Sequence, residues 1–306
     1  MMDRYKIESV LADALYGQVL VCTDKMTHEQ VAIKRMNQAC AASKVSRGGR
    51  RVAEDISFEK QVNRALSANG GHANIVSMRQ DFVEDGHEHF VLDLCVNGDL
   101  YKLVNRSMKL DETTASRYFS QIVQGVAFMH HRGFAHRDLS LENILLDADD
   151  ICHVCDFGLA APISIRQTAA VGKAFYMAPE VAQGKVYDPT KADVWSLGII
   201  LFIMLTGVPL FEMAKSSDQR FEFLETHGLS KLVASWGITL NPQAMKLLKG
   251  MLTIDPAKRM SLNHVLDHDF VGGQVTKATK TTRSWRKTLS KFLVCRRSFR
   301  KVVALA

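Results

Sequence analysis

The stretch His136-Arg137-Asp138-Leu139-Ser140-Leu141-Glu142-Asn143 most constrains what this chain can be. A carboxylate at Asp138 is followed five positions on by a carboxamide at Asn143 and then by the apolar run Ile144-Leu145-Leu146. Thirteen residues beyond Asn143, after a second short apolar run, comes Asp156-Phe157-Gly158. A base able to accept a hydroxyl proton, with an amide oxygen and a carboxylate for a divalent cation, is the set that phosphoryl transfer requires. In that reaction positioning and charge neutralisation carry most of the catalysis.

The pattern H-R-D-L-x-x-x-N followed by D-F-G at this spacing resembles the protein kinases. The resemblance implies an α+β, bilobal protein kinase-like fold: a small β-rich lobe over residues 1–92, a hinge at 93–98, and a larger, mainly helical lobe over 99–270. It also implies ATP and Mg²⁺ between the lobes, Asp138 as general base, and Asn143 and Asp156 as metal ligands. The wording around Trp195–Phe211 looks most like the calcium/calmodulin-dependent group, and the residues after H-R-D-L point to serine/threonine acceptors rather than tyrosine.

Other pieces stand in the family's order. Val31-Ala32-Ile33-Lys34 matches the V-A-I-K strand, which gives Lys34 the α- and β-phosphates and a glutamate partner on the next helix. Phe58, Val62, Ala65 and Leu66 recur at helical spacing before Asn69-Gly70-Gly71, and Glu59 is the chosen partner over Glu54. The resemblance further implies that Leu11, Ala12, Ala14, Gly17, Val19 and Ala32 cover the nucleotide and that Leu92 guards its back pocket. The backbone of Asp93 and Cys95 would meet adenine, Asp99 would lie near the ribose, and Leu145 and Cys155 below the ring. The free thiol of Cys155, next to Asp156, reads as a target for cysteine-reactive inhibitors. Asp193-Val194-Trp195-Ser196-Leu197-Gly198 and Arg259, the implied partner of Glu180, read as supports.

Five positions depart from the pattern. Ala12 and Ala14 stand where the family has glycine, and a methyl there obstructs close approach of phosphate oxygens. Asn63 replaces an apolar packing residue. Ser140 stands where serine/threonine kinases usually have a lysine, while Lys173 stands where they commonly have threonine. A hydroxyl and an ammonium have traded places on this reading, so that Lys173 reaches back toward Asp138 as a catalytic cation. The departures also keep open an alternative, a pseudokinase acting as nucleotide-binding scaffold. Arg137 beside the base implies pairing with a phosphorylated loop residue, with Thr168 first and Ser164 second as acceptors. Asp99 and Glu142 imply protein substrates with a basic residue upstream of the acceptor.

Composition bears mainly on the ends of the chain. The +7 net charge divides into +10 from Val271 to Ala306, which has no acid, and −3 over the remainder, so no nucleic-acid partner is expected. Ser284–Val303 places Trp285, Leu289, Phe292, Val294 and Phe299 among Lys and Arg, a basic amphipathic pattern. Three readings stand for this tail: an autoinhibitory or calmodulin-binding segment, an anchor to an anionic membrane, or a solubilising extension. No secretory signal is read at the start of the chain, and six scattered cysteines suit reduced thiols in a cytoplasmic protein, peripheral at a membrane if the tail anchors it. Cys152 and Cys155 read as structural thiols. The uncharged run Val194–Phe211 reads as a buried core helix, because Gly198, Gly207 and Pro209 interrupt it and it falls short of a spanning length.

Overall fold

A computed structural model describes residues 1–45, 49 and 52–272. The basic segment 284–303, with its calmodulin and membrane readings, and most of the Lys44–Arg51 loop lie outside the described residues.

Strands β1 (Tyr5–Ala14), β2 (Gly17–Asp24), β3 (Gln30–Asn37), β4 (Met78–Glu84) and β5 (His87–Asp93) form one antiparallel sheet in the order β1-β2-β3-β5-β4. Side chains alternate across a strand. Val31 and Ile33 therefore join Tyr5, Leu20, Phe82 and Val91 on one face, while Met36 joins Tyr16, Ile56, Met78 and Phe90 on the other. Lys34 shares the parity of Met36, so register alone turns it toward the face that receives the Ile56–Ser67 helix. Asp55 caps that helix by accepting from Phe58 N at 3.1 Å. Its buried stripe is Ile56, Glu59, Val62, Asn63 and Leu66, spaced to fall on one side. The polar Asn63 is tolerated there because its amide nitrogen donates to the Glu59 carbonyl at 3.0 Å. The helix ends where Asn69, Gly70 and Gly71 all adopt positive φ.

The larger lobe is built on two long helices. In Glu112–His131, Asp111 caps the start by accepting from Thr114 N at 2.9 Å, and Phe119, Ile122, Val123, Val126 and Met129 make the apolar stripe. The core helix expected over Val194–Phe211 runs over Pro189–Thr206, ending where Gly207 takes a φ of 74°; it is apolar on every side, with mean hydropathy 1.3 and 83% of it buried. Asp193, fully buried within it, accepts from His136 N, Arg137 N and His130 Nε2, each at 2.8 Å. That carboxylate ties the core helix to the loop carrying Asp138. A second buried tie joins Glu180 to Arg259 through two contacts of 2.6 and 2.8 Å. The Arg259 guanidinium also meets the carbonyls of Thr253, Lys191 and Ile254 and lies 5.0 Å from the Trp195 ring centre. Such a pair holds in the interior because the guanidinium N–H groups all find acceptors.

Four short strands frame the site. β6 (Phe134–Ala135) pairs with β9 (Ala161–Pro162), and β7 (Ile144–Leu146) pairs with β8 (Cys152–Val154). The first pair leads into the His136–Asn143 loop, and the second sets Asn143 beside Cys155, whose N–H donates to the Asn143 carbonyl at 3.0 Å.

Candidate active site

Lys34 and Asp156, far apart in sequence, meet at the mouth of the cleft. Lys34 Nζ donates to Glu59 Oε1 at 2.6 Å and to Asp156 Oδ1 at 3.0 Å. Burial works against the ammonium, but the carboxylates of Asp156 and Glu59 outweigh it and hold Lys34 well above its ordinary range. Lys34 in turn holds the Asp156 carboxyl below the usual carboxylate range. The Glu59 side chain is almost wholly buried, whereas Asp156 remains 40% exposed. One carboxylate thus anchors the lysine and the other faces the cleft.

The second cluster is built on Asp138. Asn143 Nδ2 donates to the Asp138 carbonyl at 2.8 Å and to Asp138 Oδ2 at 2.9 Å, which leaves the amide oxygen as its free end. Lys173 N donates to Asp138 Oδ1 at 3.1 Å, and Lys173 Nζ donates at 3.1 Å both to Asp138 Oδ2 and to Ser140 Oγ. The approach depends on Gly172, whose φ is +93° and where a Cβ would lie 2.6 Å from the Arg137 carbonyl oxygen. Arg137 and Asp156, both non-glycine, hold φ of 67° and 63°. Left-handed backbone at such residues persists only where the surroundings impose it. Here the Asp193 contacts impose it at Arg137. His136 Nε2 lies 2.9 Å from the Cys155 carbonyl, and its ring meets Phe157 edge-on at 5.6 Å.

The two expected metal ligands fit a hard cation. They offer oxygen only, a carboxylate and a carboxamide. Among the described residues no group of three or more His, Cys, Asp or Glu gathers to hold a metal ion. A cation at Asn143 and Asp156 would therefore take its other ligands from phosphate and water, the habit of Mg²⁺.

On the small-lobe side, Leu11 is 55% exposed and Ala12 is exposed, on a strand with register shifts at Ile7/Ser9 and Val10/Ala12. Gly17 has a packing reason: a Cβ there would lie 1.9 Å from the Arg35 carbonyl oxygen on β3. Val19 pairs with Lys34, and Ala32 with Leu92. The Asp93 N–H is taken by the Ser77 carbonyl at 3.0 Å and its carboxylate by Arg79 at 2.7 Å. The Cys95 N–H has no acceptor among the described residues, while its carbonyl accepts from Gly98 N. Asp99 caps the Leu100–Ser107 helix and pairs with Lys102 at 2.8 Å. Leu145 bridges to Asp99 across the floor. Burial and the neighbouring Asp156 push the thiol of the half-buried Cys155 well above the ordinary range, which disfavours the thiolate that a cysteine-reactive inhibitor needs.

Sequence reasoning missed Tyr16 and Tyr187 and weighed Glu54 only as a partner for Lys34. Tyr16, 1% exposed, turns under the sheet and donates to the Glu54 carbonyl at 3.0 Å. The Glu54 side chain lies against Gly158, where a Cβ would sit 2.9 Å from its Cγ and Cδ. Burial first, and then repulsion from Asp156, push the Glu54 carboxyl up to about 7. Tyr187 occupies Arg137: its hydroxyl accepts from Arg137 Nε at 3.0 Å and donates to the Ala169 carbonyl at 2.9 Å. Thr168 and Ser164 are both exposed.

Residues 5–271 match the family described as Protein kinase domain. The chain belongs to that family. Curated relatives of this kinase domain include the serine/threonine-protein kinase chk1 of Schizosaccharomyces pombe, 33% identical over 90% of this chain and 55% of that protein. The Aurora kinase of Yarrowia lipolytica is 31% identical over 88% of this chain and 69% of its own length. CBL-interacting protein kinase 16 of Oryza sativa is 31% identical over 87% of this chain and 56% of its own. The chain thus spans little more than half the length of most of these relatives.

Within this kinase domain the structure brings Lys34, Glu59 and Asp156 into one cluster and Asp138, Asn143, Ser140 and Lys173 into another. Glu142 differs from its expected placement toward a substrate. Both its carboxyl oxygens are buried, and burial raises its pKa against the pull of Lys173.

Proposed function

We propose that this kinase domain transfers the γ-phosphoryl group of ATP to serine or threonine hydroxyls of proteins. The observation that carries the reading is the pairing of Lys34 with both Glu59 and Asp156 beside an Asp138 bonded to Asn143. In this arrangement Lys34 positions the α- and β-phosphates, and Asp138 orients the acceptor hydroxyl and takes its proton. Asn143 and Asp156 hold Mg²⁺, which when bound neutralises charge on the phosphate oxygens. The edge-facing Cys95 N–H, with Leu92, Ala32 and Leu145, suits an adenine ring. Leu11, Ala12, Ala14, Gly17 and Val19 form the cover, and Asp99 stands at the ribose end.

Ala12 and Ala14 favour a second reading, a nucleotide-holding scaffold with little turnover. Transfer from labelled ATP·Mg²⁺ to a serine/threonine peptide, with Asp138→Asn as blank, separates the two. Rates well above the blank are expected; rates equal to it, with ATP still bound, would sink the transferase reading. A preference for basic residues upstream rests on Asp99, already paired with Lys102, and on Glu142, whose oxygens are buried. A neutral peptide in the same assay decides it, and equal rates remove the preference.

A further inference from the structure

Lys173 does not belong to the loop that carries Asp138. It follows the segment Leu159–Val171 and enters the site only because that segment lies down on the loop at Gly172. Once there it engages both oxygens of Asp138, one through its backbone N–H and one through its ammonium, and spans to Ser140 Oγ, all at 3.1 Å. The Asp138 loop carries a serine, fully buried, at position 140 and so presents no cation of its own there. The Lys173 side chain is 25% exposed, and its ammonium keeps its proton because Asp138 and Glu142 outweigh the cost of burial. A charged group held next to the base and still open to the cleft is placed where negative charge on a transferring phosphoryl group would develop.

The segment is held mainly by hydrogen bonds to its backbone. Arg137 donates to the carbonyls of Leu159 at 3.4 Å and Ala169 at 3.3 Å. Tyr187 bonds both Arg137 and Ala169, and it exchanges backbone hydrogen bonds of 3.0 and 2.9 Å with Gln167. Arg166 adds an outer pair to Asp188 at 3.0 Å.

We propose that Lys173 is the cation that meets the transferring phosphoryl group, and that docking of its segment therefore switches the chemical step itself. This rests on the phosphoryl-transfer reading given above. The bond from the γ-phosphorus to ADP breaks as the bond to the acceptor oxygen forms. The hydroxyl proton passes to Asp138, ADP leaves with the electron pair, and Lys173 stays protonated throughout. With the lysine on the Asp138 loop, a lifted segment would cost substrate contacts. With the lysine on the segment, a lifted segment removes the charge.

The test compares the full chain with Lys173→Thr, Lys173→Arg and the reciprocal double variant Ser140→Lys/Lys173→Thr, each with and without Tyr187→Phe. Two readouts are taken: ATP hydrolysis by water, which needs no peptide, and the affinities for ATP·Mg²⁺ and ADP·Mg²⁺ by displacement of a fluorescent nucleotide. Lys173→Thr is expected to lower kcat roughly 10²-fold while ADP affinity stays within about threefold. The double variant should recover at least about a tenth of wild-type turnover, and Tyr187→Phe should cost about tenfold in the wild-type background but under about twofold in the double variant. If the double variant loses nucleotide binding through misfolding, Lys173→Arg decides, retaining several times the activity of Lys173→Thr. Equal rates for Lys173→Thr and wild type, or for Lys173→Arg and Lys173→Thr, overturn the role of Lys173 alone. An equal Tyr187→Phe effect in both backgrounds overturns the switch. Wild-type turnover no higher than Asp138→Asn overturns the transferase reading and this proposal with it.

Discussion

Lys34 and Lys173 face the same cleft, and both are held charged by carboxylates against the cost of burial. They differ in what positions them. Lys34 sits on β3, between β2 and β5 in the middle of a five-stranded sheet, and its carboxylate partner Glu59 is buried to 2% exposure. Lys173 precedes a three-residue helical turn and is placed by the conformation of one glycine and the contacts of one loop. A sheet fixes a side chain by register, which cannot change without exposing a whole face. A docked segment fixes it by a handful of hydrogen bonds, each worth about 1 kcal/mol. The same chemistry is therefore rigid at one end of the cleft and conditional at the other.

The largest expected effect that would test this contrast is at Lys34. Lys34→Met should lower turnover roughly 10³-fold and also destabilise the fold by about 3 kcal/mol, because it leaves Glu59 charged and buried without a partner. Denaturant titration checks the second part. Lys173→Met should spare stability, with a midpoint close to that of wild type. Similar stability losses in the two variants would break the comparison.

Two glycines sharpen it further. Gly17→Ala drives a methyl into the Arg35 carbonyl within the sheet and should cost about 2–4 kcal/mol of stability. Gly172→Ala meets positive-φ strain and the Arg137 carbonyl. It should lift the segment, lowering turnover about tenfold or more for about 1 kcal/mol of stability. Paired melting curves and rate assays check both, and the reverse ranking would place the rigidity in the wrong lobe.

The smallest effect concerns Glu54, the third carboxyl near Lys34. Its folded pKa of about 7 lies above the ordinary 4.5. The folded state therefore binds more protons than the unfolded chain between those values. The stabilising contribution is complete below about 4.5 and is lost as pH rises through 7. Glu54→Gln should leave Tm nearly unchanged at pH 5 and raise it by about 2 °C at pH 8. A Tm gain independent of pH would place the cause outside this ionisation.

The parts legible in the sequence were those fixed by short spacing. Asp138 with Asn143, Asp156 before Phe157 and Gly158, the strand at Lys34 and the choice of Glu59 over Glu54 all follow from local pattern. The core helix was legible because its residues are apolar on every side, and the reach of Lys173 from its exchange with Ser140. What escaped depends on chain that returns from far away. Tyr16 is turned inward by its bond to the Glu54 backbone, and the alternation of a hairpin does not show that partner. Arg137 reads as the partner of a phosphorylated loop residue, and local pattern does not show that Tyr187, fifty residues on, already accepts from it. Glu142 reads as facing a substrate, and nothing in its local pattern shows that both its carboxyl oxygens are buried.

The apolar Pro189–Thr206 helix has a consequence in time rather than in space. Its cover includes the Pro242–Met251 helix, which begins some 36 residues later in the chain. At ordinary rates of protein synthesis that gap lasts roughly 2–7 s. During that interval the stickiest stretch of the nascent chain exists without the surface that will conceal it. Arg259, the partner of Glu180, is synthesised later still, after the Pro242–Met251 helix. A pause after residue 206 has left the ribosomal exit tunnel and before residue 242 has done so would hold a chain with the helix present and this cover missing, the form in which chaperones have the most to bind.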